Sequence, residues 1–207
     1  MIKIYGGGGS RSIKAVWMAE EMGLDYEVVP VDFRGPTRTP EFLALSPAGS
    51  VPVLVDGDVV MLESSAMLQY LGGRYGPTPL APQTGAPNYP AFLQFLHYGE
   101  ASFGAVLGAA MASRFFAPEE HRDNWGGKAA IDSAVRRSIV PATALKQTPY
   151  VAGDEFTAAD ISVSYALDLA GFLGIADRLD PVLIDYHERL KARPAQQRAR
   201  ARSAPPA

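Results

Sequence analysis

Residues 2–31, IKIYGGGGSRSIKAVWMAEEMGLDYEVVPV, decide the fold. Ile2-Lys3-Ile4-Tyr5 alternates in the two-residue period of a half-buried strand, and the glycine run at 6–9 with Ser10 breaks it. From Ser12 the period becomes helical, with Ala15, Met18, Ala19 and Met22 on one face and Val16 and Trp17 widening the stripe. Gly23 stands where a helix takes its C-terminal glycine, and Tyr26-Glu27-Val28-Val29-Pro30-Val31 then reads as a second strand. Two strands joined through a helix form a βαβ unit, so they are predicted to lie parallel.

Outward from this unit, a short helix is predicted around Glu41 to Leu45. Val53-Leu54-Val55 and Val59-Val60-Met61 flank Asp56-Gly57-Asp58, a strong hairpin signal that adds two antiparallel strands. Glu63-Ser64-Ser65 opens a helix with Met67, Tyr70, Leu71 and Arg74 at i, i+3, i+4 and i+7. The order βαβαββα therefore occupies residues 1–76, an α/β domain. Pro77, Pro79, Pro82 and Pro87 mark residues 77–88 as a stiff linker. Beyond it no strand is predicted: 89–116 and 127–147 read as helices, another begins at Thr157, and 89–207 forms an all-helical bundle. The helix after Thr157 is apolar nearly all round and is expected at its centre. Thr157 and Asp160 have capping-box spacing, so loss of the threonine side chain is expected to cost about 1 kcal/mol. Pro141 predicts a kink or break. Arg198, Arg200 and Arg202, before Ser-Ala-Pro-Pro-Ala, read as a solvated, disordered tail.

Composition narrows the chemistry. The 207 residues include no cysteine, which excludes disulfides, thiolate metal sites and any protein thiol as nucleophile. Sulfur chemistry must come from a ligand. His97, His121 and His187 are scattered, so no metal site is expected, and a net charge of −3 argues against nucleic acid. No apolar run reaches the roughly 20 residues that cross a bilayer, so no membrane partner is expected and the default address is cytoplasmic.

The glycine run is not a nucleotide motif, because Arg11 stands where G-x-G-x-x-G needs its third glycine. It is a strand-to-helix turn of small bulk that lets a ligand approach the Ser10 hydroxyl at the end of a helix that favours negative charge. Ser10 is read either as an ordinary N-cap or as a catalytic hydroxyl. Pro52, directly before a strand, can adopt the cis form and turn the main chain of Val51 outward to pair with an extended peptide. Glu63 and Ser64, at the start of the third helix, suit the ammonium and carboxylate of an amino-acid head. Arg38, in the loop before the second helix, suits a second carboxylate. Jointly these describe a peptide-sized, acidic ligand with a group that becomes anionic near Ser10.

Over nearly the whole chain these residues resemble the glutathione S-transferase family. The resemblance rests on Ile4-Tyr5-Gly6, Ser10 before Lys14, Ser46-Pro47 with Gly49, Val51-Pro52-Val53, and Glu63-Ser64 opening a helix that ends at Arg74-Tyr75. In the second half it rests on Pro149-Tyr150-Val151-Ala152-Gly153-Asp154 and Phe156-Thr157-Ala158-Ala159-Asp160-Ile161. It implies a thioredoxin-like N-terminal domain before the helical one, and glutathione as cosubstrate with no metal. Ser10 resembles the activating serine of serine-type, bacterial-like cytosolic classes, with Ser12 and Tyr5 as rivals. Val51, before a cis Pro52, resembles the partner of the cysteinyl unit; Glu63 and Ser64 resemble the clamp on the γ-glutamyl head; Arg38 matches by loop location. The implied reaction is attack of a glutathione thiolate on a small hydrophobic electrophile, in a cytoplasmic homodimer. Tyr98, Phe103, Met111, Phe115 and Phe116 are read either as lining of the electrophile's pocket between the domains or as core, the commoner role of aromatic and methionine residues at helical spacing. A noncatalytic binding module and a glutathione-dependent isomerase or dehalogenase are the alternatives. Four consecutive glycines and Pro141 depart from the family pattern.

Overall fold

A computed structural model of the chain describes residues 1–7, 9–31 and 39–204. It divides into two compact units, Met1–Thr78 together with Lys191–Ala207, and Pro79–Leu190.

The first unit contains β1 (Ile2–Gly6), α1 (Ser12–Met22), β2 (Tyr26–Pro30), α2 (Pro40–Leu45), β3 (Val53–Asp56), β4 (Val59–Met61) and α3 (Ser64–Arg74). The strands form one sheet in the order β2-β1-β3-β4, with β1 parallel to β2 and antiparallel to β3, and β3 antiparallel to β4. This is the thioredoxin-like arrangement, followed in the second unit by helices. Ile2, Ile4, Val53 and Leu54 of the sheet and Met67, Leu68 and Leu71 of α3 are buried, and α1 is buried from Ser12 to Ala19.

The reason α1 is buried so completely lies at the other end of the chain. The tail expected to be disordered is a helix, α9 (Pro194–Ser203), whose face of Ala195, Gln196, Ala199 and Ser203 is buried, and it packs on α1. Arg193 forks onto Glu21 at 2.7 and 2.9 Å, Arg198 Nε reaches Glu20 at 2.6 Å, and Arg202 Nε lies 3.0 Å from the same carboxylate. Tyr26 donates its hydroxyl to Glu20 at 2.6 Å, and the Arg202 guanidinium sits 5.1 Å from the Tyr26 ring centre. Burial acts to raise the Glu20 pKa. The Tyr26 hydroxyl and the two guanidinium groups outweigh it and hold the carboxyl below the ordinary glutamate value.

In the second unit, α4 (Tyr89–His97) runs through a π-helical turn at Tyr98–Gly104 into α5 (Ala105–Met111), with a second π-helical turn at Ala112–Phe116. At Gly99 the first turn closely meets the helix that carries Ser162. A Cβ on Gly99 would lie 2.5 Å from the main chain of Ser162, so only glycine admits this approach, and the Ser162 hydroxyl donates to the Leu96 carbonyl at 2.8 Å. Next come α6 (Trp125–Leu145), α7 (Ala158–Phe172) and α8 (Pro181–Lys191). α7 is the buried centre, as its apolar composition requires.

Pro141 does not break α6, which is continuous from Trp125 to Leu145. Proline removes the N–H that would serve the carbonyl of Arg137 four residues earlier. Tyr98 supplies the missing donor from another helix, its hydroxyl lying 3.0 Å from that carbonyl oxygen.

The capping box at the start of α7 is present, and it is part of a larger knot. The fully buried Asp160 carboxylate accepts the Thr157 N–H at 2.8 Å, the Val151 N–H at 3.0 Å and the Tyr186 hydroxyl at 2.7 Å. Burial pushes its pKa above the ordinary carboxylate value, while these donors pull the other way. Among the described residues, no helix is long and apolar enough to cross a membrane, and no cluster of three His, Asp or Glu side chains has metal-binding geometry.

Candidate functional site

The strand register gathers the candidate residues at one end of the sheet. Tyr5 pairs with Val53, so Gly6 ends β1 beside Pro52, and Leu54 pairs with Met61, so Glu63 follows β4 at the same end. The glycine turn, residues 51–52 and residues 63–64 thus stand on adjacent strands β1, β3 and β4. Two strand spacings amount to ~10 Å, the length of about three extended residues. α1 and α3 both start at this end, and their N-termini favour negative charge.

At the first position two hydroxyls meet. Ser10 Oγ and Ser12 Oγ are 2.9 Å apart, and the Gly7 N–H points at both, 2.9 Å from Ser12 Oγ and 3.3 Å from Ser10 Oγ. The Ser12 N–H lies 3.4 Å from Ser10 Oγ, a weak cap at most. Ser12 is fully buried and Ser10 is half-buried, so Ser10 is the hydroxyl that reaches solvent. Gly6 makes the arrangement possible: at φ 151°, a Cβ there would sit 2.5 Å from Ser12 Cβ and 3.1 Å from Ser10 Oγ.

At the second position the Val51-Pro52 peptide is cis, immediately before β3. The loop ahead of it is tied by buried Ser46, whose hydroxyl donates to the Ser50 carbonyl at 2.9 Å and accepts the Ser50 N–H at 3.0 Å. No main-chain hydrogen bond to Val51 occurs among the described residues.

At the third position Glu63 is exposed and adopts φ 71°, ψ 100°, a conformation that costs a non-glycine residue about 1–3 kcal/mol. Its carbonyl accepts the Met67 N–H at 3.0 Å, which anchors it to α3. Ser64 begins that helix and is only 2% exposed.

The family model for the glutathione S-transferase N-terminal domain matches residues 1–73. Glutathione S-transferase 4 of Zea mays is 30% identical over 204 residues, covering 94% of this chain and 89% of that protein. The chain belongs to the glutathione S-transferase family. Glutathione S-transferase 3 of Zea mays is 42% identical over 87 residues, a stretch spanning 40% of this chain and 39% of that protein's length. Among solved structures, the theta class glutathione S-transferase from Xanthomonas axonopodis pv. citri, with glutathione bound, gives a TM-score of 0.81 at 31% identity, covering 96% of each chain.

The remaining candidates divide. Strand alternation turns Tyr5 to the face opposite Gly6, where its ring lies 6.2 Å from that of Phe42, away from the paired serines. Arg38 lies outside the described residues. Of the expected pocket residues, Phe103 is fully buried in the core, and the Tyr98 hydroxyl is engaged by α6. Phe115 and Phe116 are exposed, with Phe115 stacked edge-on against Phe172 at 5.0 Å. Sequence reasoning weighed Ser12 only as a rival to Ser10 and missed it as a partner; the signal was the S-x-S spacing directly after glycine. It also missed the backbone of Glu63, for which no residue type gave a sign.

Proposed function

We propose that this protein is a serine-type, bacterial-like glutathione transferase that binds glutathione across the ends of β1, β3 and β4. The observation that supports the reading is the register, which sets the Ser10 hydroxyl, the Val51–Pro52 main chain and Glu63 in order over about a tripeptide's length. The γ-glutamyl head meets Glu63 and the N-terminus of α3 at Ser64, the cysteinyl main chain pairs with Val51 beside Pro52, and the thiol reaches Ser10. Arg38 takes the second carboxylate. Such glutathione-bound relatives as the Xanthomonas axonopodis enzyme support the choice of ligand.

In this reading the fully buried Ser12 hydroxyl, 2.9 Å from Ser10 Oγ, is the donor of that hydrogen bond, which leaves the Ser10 O–H to point outward. That O–H donates a hydrogen bond to the thiolate, whose proton has left to solvent, and the N-terminus of α1 adds favourable potential. A free thiol with pKa near 8.5 is only ~3% ionised at pH 7, and a fall of about 2 units makes thiolate the major form. The sulfur then attacks an electrophilic carbon of a small hydrophobic cosubstrate: an S–C bond forms, and the leaving group departs with the bonding pair. The enzyme works as a cytoplasmic homodimer.

Titration with glutathione, followed by thiolate absorbance as pH is varied, tests the assignment. Saturable binding with a bound-thiol pKa near ~6.5 is expected, together with turnover of an aryl halide. Absence of saturable binding overturns the reading; binding without turnover leaves a noncatalytic module.

Glu63 provides a second test. Glu63→Gly keeps the backbone conformation without its strain while removing the carboxylate. Folding stability should stay unchanged or rise by up to about 1 kcal/mol. Glutathione affinity should fall roughly 10-fold or more, the usual loss for a hydrogen bond to a charged group. Thermal denaturation and calorimetric titration measure the two effects.

A further inference from the structure

α9 carries a second consequence for the glycine turn. The buried face of α9 ends at Ser203, whose carbonyl oxygen would lie 3.4 Å from a Cβ on Gly7. The start of α9 is held at the far end of α1, where Arg193 forks onto Glu21, itself bonded by the Trp17 indole N–H at 2.9 Å. The two helices therefore run antiparallel. Helical side chains lean toward their own N-terminus, and Arg198 and Arg202 accordingly both reach back to Glu20. The Glu20 side chain is only 7% exposed, so these cations meet a largely desolvated carboxylate.

Glycine has more backbone conformational entropy to lose on ordering than any other residue. The Ser10 N–H bonds the Gly7 carbonyl at 3.0 Å, and Ser12 and Ser10 share the Gly7 N–H. A rigid body pressed against Gly7 reduces that freedom from outside.

We propose that α9 is a buttress for the glycine turn: the latch of Arg198 and Arg202 on Glu20 holds the Ser203 end against Gly7, and so keeps Ser10 and Ser12 paired. Arg198 and Arg202 are positioning residues that act through the turn. This rests on the reading of Ser10 as the thiol-activating hydroxyl, but the loop-holding part can be read without glutathione.

The test uses the full chain with Arg198→Gln and Arg202→Gln together, which removes both charges and keeps good helix formers. Amide hydrogen exchange in the ligand-free protein should speed up about 10-fold or more at residues 6–13, with the sheet and the second unit unchanged. The bound-thiol pKa should rise by about half a unit or more. Binding of S-methylglutathione, which has no thiol, should change less than twofold. Lysine at both positions should restore part of the protection, since it returns charge without the planar fork. The wild-type protein taken from ~0.1 to ~1 M salt should show the same loosening at 6–13, because the exposed side of the latch is screened. The proposal is overturned if α9 amides exchange freely while residues 6–13 and the thiol pKa stay as in wild type. If wild type binds no glutathione but exchange at 6–13 follows the latch, the glutathione assignment fails and the buttress stands.

Discussion

Ser10→Ala should raise the pKa of enzyme-bound glutathione by about 1–2 units, because a hydrogen bond to a charged group is worth roughly 1.5–3 kcal/mol. The sign follows from which form is stabilised: the hydroxyl donates to the thiolate, so its loss favours the protonated thiol. Moving the pKa from ~6.5 to ~8 leaves about 3% thiolate at pH 6.5 in place of half, a rate deficit of roughly 15-fold. By pH 9 both proteins hold mostly thiolate, and the deficit should nearly vanish, to about 1.1-fold. Glutathione affinity should change little, because the head clamp and the Val51 edge remain. Ser12→Ala should give a smaller rise, about half a unit, since Ser12 is expected to act by orienting the Ser10 proton. Thiolate absorbance and pH–rate profiles of the two variants measure these differences. A full loss in Ser12→Ala with little change in Ser10→Ala would transfer the donor role to Ser12.

The largest expected loss of stability is at Asp160, which has no part in the proposed reaction. Asp160→Ala leaves the Thr157 N–H, the Val151 N–H and the Tyr186 hydroxyl buried without an acceptor. Each such orphan costs about 1–3 kcal/mol, and with partial relaxation the total should be about 4 kcal/mol. Asp160→Asn keeps one acceptor oxygen but turns an amide donor toward donors, and should recover less than half of that loss. Thr157→Ala should cost only about 1 kcal/mol, since it removes a cap and leaves the carboxylate in place. Urea denaturation of the three variants gives the ranking. Near-equal values for Asp160→Ala and Thr157→Ala would reduce the knot to an ordinary helix cap.

The elements legible in the sequence are those whose causes are local. The change of period between Tyr5 and Ser12, the Asp56-Gly57 turn and the Thr157-Asp160 spacing each carry their information within a few residues. α9 was illegible for the opposite reason. Its buried face consists of Ala195, Gln196, Ala199 and Ser203, which has no hydrophobic period, and its ion-pair partners lie more than 170 positions earlier in the chain. Pro141 misled because the donor that compensates for its missing N–H, Tyr98, comes from another helix. In the candidate site, Ser10, Val51, Pro52, Glu63 and Ser64 were named from residue type and order. Their convergence at one end of the sheet required the register, and the hidden partner Ser12 required knowing that Gly6 leaves room for it.

The first unit is assembled from both sides of the second along the chain. During translation, β1 and α1 emerge early but one flank of α1 stays bare until every residue from Pro79 to Leu190 has been synthesised and Arg193 to Ser203 arrives to cover it. A ribosome that stalls within the helical unit therefore displays Glu20 and Glu21 without Arg193, Arg198 and Arg202, and the flank of α1 that α9 covers stays open to solvent.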